Sequence, residues 1–200
     1  MKKHFIFLLF WMMSLSLSVN AQVEYVNPII GTDGMGHTFP GACVPFGIVQ
    51  LSPDTDTIPH NIDGAYQERV YEYCAGYQYK DSTIVGFSHT HFNGTGHSDL
   101  GDVLIMPSIG ELKLRPGTAD DPEKGYRSRF SHETEIASPG YYEVILDDYD
   151  IKAQLTATKR TGIHLYYIDF HFHRVGLTSG IQFHIDIFKK SQILDTVQGT

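Results

Sequence analysis

Tryptophan, cysteine, basic runs and helical periodicity are all scarce in this chain. The single Trp, Trp11, lies in an N-terminal apolar segment that reads as a removable leader, so an indole platform for stacking a sugar ring is lacking in what remains. Two cysteines, Cys43 and Cys74, are too few for a disulfide framework. Two buried thiols is the simpler reading, although an exported protein can bridge them. No Lys/Arg run offsets the formal net charge of −8, which argues against DNA, RNA and anionic membrane surfaces as partners. No apolar repeat of helical period exceeds two turns beyond the leader, which excludes helical bundles. Gly-x-Ser-x-Gly is missing, and no Ser-His-Asp or Cys-His arrangement stands out. The glycines at 31–41 are not followed by Gly-Lys-Ser/Thr, so they form no phosphate loop.

The leader has three parts. Lys2 and Lys3 form a positive end, Phe5 to Leu17 an apolar middle, and Val19-Asn20-Ala21 a small-residue cleavage site. The apolar run is shorter than the roughly 20 residues of a spanning helix. Cleavage after Ala21 leaves 179 residues, enough for one domain with a core, and a net charge of −10. Export to a periplasmic or extracellular space is the expected localisation, with no membrane span afterwards.

The remainder reads as short strands between Gly/Pro turns, an all-β antiparallel β-sandwich. Expected strands are Ile48 to Leu51, ended by a turn at Ser52-Pro53-Asp54-Thr55, then Ser82 to Val85, and Val103 to Met106, stopped by Pro107. Tyr141 to Leu146 and Ile151 to Thr158 make a hairpin around Asp147–Asp150. Ile151, Ala153, Leu155 and Ala157 alternate with Lys152, Gln154, Thr156 and Thr158, the period of a half-buried strand. Two weaker alternations follow, at Ile168/Phe170/Phe172 and at Ile181/Phe183/Ile185/Ile187.

Two polar, glycine-rich loops carry the chemistry. One is Gly31 to Ala42. The other is residues 86–102, with His89, His91, His97, Asp99 and Asp102 among four glycines and several hydroxyls. Extended backbone at His89-Thr90-His91 would put both imidazoles on one side. Three readings stand: a transition-metal site, a loop whose side chains satisfy one another, and a sugar-binding loop offering mixed donors and acceptors. Asp99 and Asp102, three residues apart, fit structural caps better than paired glycosidase carboxylates.

Gly31-Thr-Asp-Gly through Thr38-Phe-Pro-Gly-Ala42, Pro45-Phe-Gly47, Leu51-Ser-Pro-Asp-Thr55, Gly86-Phe-Ser-His-Thr-His-Phe-Asn-Gly-Thr-Gly96 and Asp99-Leu-Gly-Asp102 resemble the N-terminal domain of glycoside hydrolase family 92. The likeness spans roughly residues 23–164. The family comprises exported, calcium-dependent exo-α-mannosidases, known chiefly from glycan-degrading bacteria. The resemblance implies a galactose-mutarotase-like β-sandwich followed by an (α/α)6 barrel. The barrel supplies the general acid, the base carboxylates and most calcium ligands, and water attacks with inversion. Carried over to this chain, the resemblance places the Gly31–Gly41 loop, especially Thr38 and Phe39, beside the terminal mannose. It places His89, Thr90, His91 and the Gly94-Thr95-Gly96 turn at the cleft between domains, with His97 towards the next sugar.

These 200 residues contain no barrel, so the resemblance implies a fragment without its catalytic carboxylates, whose partners are an α-mannoside glycan and its own C-terminal domain. After Gly162-Ile-His164 the family usually continues with Arg-Tyr and a proline-containing turn; here Leu165-Tyr-Tyr-Ile follows. The expectation is a broken gene in which residues beyond about 165 leave the native frame. Two other functions stay open: a free-standing exported carbohydrate-binding module, and a metal-dependent hydrolase built on the 89–102 loop.

Overall fold

The computed structural model describes residues 23–56, 58–94, 100–168 and 181–186, the last segment by its backbone alone. The leader, together with Thr95, Gly96, His97 and Asp99, lies outside the described residues. Within them the chain is all-β, interrupted only by short 3-10 turns at Val23–Tyr25, Glu68–Tyr71 and Pro122–Lys124.

Two main sheets face each other. The first is built from β1 (Ala42–Cys43), β2 (Gln50–Asp54), β6 (Gly86–Ser88), β7 (Leu104–Ile109) and β13 (Ile181–Asp186), in that spatial order. The second runs β12 (Gly162–Ile168), β11 (Ile151–Ala157), β10 (Tyr141–Leu146), β9 (Ile136–Ser138). Two small ribbons complete the fold, β3 (Asn61–Ile62) with β4 (Ala65–Tyr66) and β5 (Thr83–Ile84) with β8 (Ser128–Arg129).

Sequence alternation sets the second sheet. Along β10 and β11, Tyr142, Val144, Leu146, Ile151, Ala153, Leu155 and Ala157 point inward and are buried, while their neighbours are half-buried or exposed. The hairpin pairs Tyr141 with Thr156 through Leu146 with Ile151, and the chain reverses over Asp147–Asp150 with Asp150 at φ 52°. The first sheet answers with Leu51, Phe87, Leu104 and Met106, giving one core between two layers. Each such side chain contributes roughly 1.5–3 kcal/mol on burial, so this seam dominates stability.

Two prolines misdirect a reading from sequence. β2 extends through Ser52-Pro53-Asp54, where a turn was expected, and β7 passes through Pro107 to Ile109 instead of stopping there. Both are tolerated for the same reason. β1 pairs β2 only at Leu51 and Gln50, and β6 pairs β7 only at Ile105, so each proline lies beyond the end of one neighbouring ladder. β12 continues unbroken across residue 165 to Ile168, in register with β11, and the backbone of β13 pairs antiparallel with β7 from Ile181↔Ile109 to Asp186↔Leu104. Phe170 and Phe172 lie outside the described residues. Both cysteines are free thiols. Cys74 is buried and donates to Tyr71 O at 2.9 Å, whereas Cys43 is only half-buried, and burial pushes its thiol pKa up.

Candidate functional site

The two glycine-rich loops meet, although 54 and 57 residues separate their contacting positions. Phe39 N donates to Asn93 Oδ1 at 3.2 Å, and Gly94 N donates to His37 O at 2.7 Å. The first loop closes on itself through Thr38 N to Gly31 O at 3.3 Å and Thr38 Oγ1 to Ile30 O at 3.0 Å. Gly36 must be glycine here, because a β-carbon would stand 2.0 Å from Gly31 O. Gly41 is pressed against β2 in the same way, 2.2 Å from Leu51 O. The loops are thus cut to a surface rather than left slack.

The expected site residues divide. Thr38 is half-buried at the junction, Phe39 is buried, and Gly94 is exposed. His91 is 2 % exposed, its ring 5.1 Å from that of Phe39. Its Nδ1 faces Gln50 O at 2.7 Å, a carbonyl that can only accept, so Nδ1 donates. Nε2 then meets both Ser88 Oγ at 3.0 Å and Asp54 Oδ1 at 3.3 Å. Ser88, His91 and Asp54 therefore lie together in the core, but not as a catalytic triad, since serine and carboxylate approach the same ring nitrogen. Thr90 closes the base of its loop. Its Oγ1 accepts from Asp102 N at 2.9 Å and Gly101 N at 3.3 Å, and donates to Asp102 Oδ2 at 3.3 Å. Asp102 is thus tied into the turn.

The expectation that His89 and His91 act from one side fails. His91 turns into the core, while His89 turns to the other sheet, with Nδ1 on Val103 O at 2.7 Å and Nε2 on His164 Nε2 at 3.1 Å. The rings part because β6 ends at Ser88, and each residue after it follows its own hydrogen bonds.

Two further side chains, one of them inside the Gly31–Gly41 loop, are buried beneath this surface. His37, at φ 50°, is buried edge-on to Tyr71, and its Nε2 has no hydrogen-bond partner. Gln78 Nε2 donates to Gly34 O at 3.0 Å and to Glu72 O, leaving the buried Oε1 without one. Unpartnered buried polar atoms are costly and rare, and these two lie beneath the Gly31 loop, out of reach of a ligand on its exposed face. The histidine inside a glycine run was the available signal for His37; Gln78 carried none. The segment is steadied by Thr55 Oγ1, which donates to Asp81 Oδ2 at 2.7 Å and accepts from Gln78 N at 3.0 Å, and by Tyr73 Oη to Asp81 Oδ1 at 3.2 Å. Burial, then Asp81, pushes the Tyr73 phenol up, so it remains a hydroxyl donor.

The sequence profile of the glycosyl hydrolase family 92 N-terminal domain matches residues 25–175. The chain belongs to glycoside hydrolase family 92. A family 92 α-mannosidase from Bacteroides thetaiotaomicron, solved alone and with mannoimidazole, is 49% identical and superposes with a TM-score of 0.66, covering 73% of this chain and 18% of that one. A second solved family 92 glycosyl hydrolase is 28% identical at a TM-score of 0.61, over 84% of this chain and 21% of its own. An uncharacterized secreted glycosidase of Arthroderma benhamiae is 31% identical over 157 residues, 74% of this chain and 17% of that protein. The chain thus spans about a fifth of the length of the relatives it matches.

Calcium, implied by the family 92 resemblance, takes six to eight oxygen ligands. The carboxylates near the loops are otherwise engaged: Asp33 caps Gly34 N, Asp102 serves Thr90, and Asp54 serves His91. Among the described residues no group of three or more His, Cys, Asp or Glu side chains could hold a metal ion.

Proposed function

We propose that this chain is the substrate-facing N-terminal domain of an exported α-mannosidase acting on terminal α-mannosides with inversion. The observation that carries the reading is the family 92 match over residues 25–175, with 49% identity to an α-mannosidase. The joined loops at 31–42 and 89–94 form its contribution to the cleft, with half-buried Thr38 and the exposed Asp33 and Asn93 offering a donor–acceptor mixture suited to sugar hydroxyls. Thr95, Gly96 and His97 extend the same loop in this reading. The acid and base carboxylates, and the calcium that the family uses, are assigned to the assembled enzyme and not to this domain. Phe46 and Ile48, both exposed and two residues apart, favour a domain that docks onto another over a free-standing carbohydrate-binding module.

The test is titration of the chain with methyl α-mannoside and α-mannobioses, followed by NMR, alongside an assay for released mannose. Binding without hydrolysis is the expected result. Hydrolysis by this chain alone, abolished by His89→Ala and His91→Ala, would replace the reading with a hydrolase built on the loop. Failure of every α-mannoside to bind at millimolar concentration would overturn the assignment of a sugar-contacting surface.

A further inference from the structure

His89 follows β6 in the first sheet and His164 lies in β12 of the second, yet their Nε2 atoms stand 3.1 Å apart. Hydrogen-bond accounting fixes their tautomers. Val103 O can only accept, so His89 Nδ1 carries the proton and His89 Nε2 presents a lone pair. His164 Nε2 must therefore donate, and His164 Nδ1 accepts from Tyr166 Oη at 2.7 Å. Each ring is thus held at its far nitrogen, the arrangement that orients metal-ligating histidines.

The ring geometry fits an ion as well as it fits this hydrogen bond. A straight N–H···N bond would set the ring centres about 5.4 Å apart. They are 4.9 Å apart with planes tilted by 43°, so the rings are swung off the N···N line. An ion about 2.05 Å from both nitrogens would subtend an angle of about 100° at the metal and give ring centres ~4.9 Å apart. Gly162 supplies the room. A β-carbon there would stand 2.6 Å from His89 Cδ2 and 2.9 Å from its Nε2.

We propose that His89 and His164 form a two-histidine site for a divalent transition ion of the zinc, copper and nickel class, with water completing the coordination. Imidazole suits these ions, whereas calcium takes oxygen, so this site is separate from the family's calcium. It rests on the two rings and not on the mannosidase reading. Loading needs both Nε2 atoms as lone pairs. The proton on His164 Nε2 moves to Nδ1, and the Tyr166 hydroxyl turns from donor to acceptor, so no proton is released. The ion would clasp the two sheets at the foot of the 89–102 loop.

The experiment titrates the untagged chain with Cu(II), read by electron paramagnetic resonance, and with Zn(II), read by calorimetry and thermal unfolding. One Cu(II) with two nitrogen ligands is expected, with affinity falling at least about tenfold in His164→Gln and in His89→Gln. Zn(II) should raise the unfolding temperature of the parent and not of His164→Gln. Tyr166→Phe keeps both rings and removes the Nδ1 partner. It should weaken binding about tenfold and covers the case in which His89→Gln does not fold. The double variant His171→Ala, His173→Ala should bind as the parent does. Binding that survives His164→Gln, binding lost in that double variant, or no binding of either ion would each overturn the site.

Discussion

Gly76 and Asp54 occupy the same space so nearly that a β-carbon on Gly76 would stand 2.0 Å from Asp54 Oδ1 and 3.1 Å from His91 Nε2. Gly76 also sits at φ +79°, and its carbonyl accepts from Thr55 N at 2.9 Å. Gly76→Ala therefore combines left-handed backbone strain with displacement of a fully buried carboxylate and its imidazole. The expected loss is at least about 3 kcal/mol, enough to unfold a domain of ordinary stability. Gly64→Ala is the control. Its φ is +80° with nothing within 4 Å, so only the strain of about 1 kcal/mol applies. Urea denaturation of both variants decides the matter. Equal losses would mean that the Asp54 contact contributes nothing.

Glu135 organises the other side of the core. Its carboxylate, 3 % exposed, accepts from Tyr142 Oη at 2.6 Å, Tyr77 Oη at 2.9 and 3.0 Å, and His132 Nδ1 at 2.6 Å. His132 Nε2 faces Tyr79 O at 2.7 Å while its ring stacks 4.0 Å above that of Tyr79. Burial, followed by the Glu135 charge, pushes both buried phenols upward, so they stay protonated donors. Tyr142→Phe removes one donor and leaves the carboxylate two partners, at a cost of about 1–2 kcal/mol. Glu135→Leu strands two buried hydroxyls and an imidazole, and should cost at least about 3 kcal/mol. Denaturant midpoints should fall in that order, and the reverse order would contradict the network.

What could be read from the sequence follows from how local each determinant is. The β10–β11 hairpin was legible because alternation at Ile151, Ala153, Leu155 and Ala157 is a property of seven consecutive residues. The glycine loops were legible because glycine announces backbone constraint. Pro53 and Pro107 misled because their tolerance depends on where a neighbouring strand ends, which no local window records. His89 and His91 misled for a related reason, since their partners lie on β2, at Val103 and on β12. Glu135 gave no signal at all. Its three donors come from positions 77, 132 and 142, and only folding assembles them.

The His164 ring makes stability depend on acid. In the folded chain its pKa is pushed down to about 4 from 6.5, by burial first and His89 second. Between those values the unfolded chain binds a proton that the folded chain refuses, so stability rises with pH across this window. The contribution is complete above 6.5 and is lost as pH falls towards 4, at most about 3 kcal/mol at 1.36 kcal/mol per unit. His164→Gln should flatten this part of the stability profile while leaving the steeper carboxylate loss below pH 4. A profile of unchanged slope between pH 4 and 6.5 would show that His164 is not its source.

Phe46 breaks two rules at once. It is 102 % exposed, and it stands at φ +58° in a reversal closed by Gly47 N to Val44 O at 2.9 Å, the kind of position that glycine ordinarily fills. Its side chain buries nothing against the described residues of this domain. Phe46→Gly relieves the strain and loses no burial, and the entropy gained by the unfolded chain offsets part of that relief. The expected change lies between neutral and a stabilisation of about 1 kcal/mol, with improved solubility of the isolated chain. Paired urea titrations of the two proteins provide the check. A loss above about 1 kcal/mol would mean that Phe46 packs within the domain, whereas the expected gain leaves its hydrophobic surface for contact with another body.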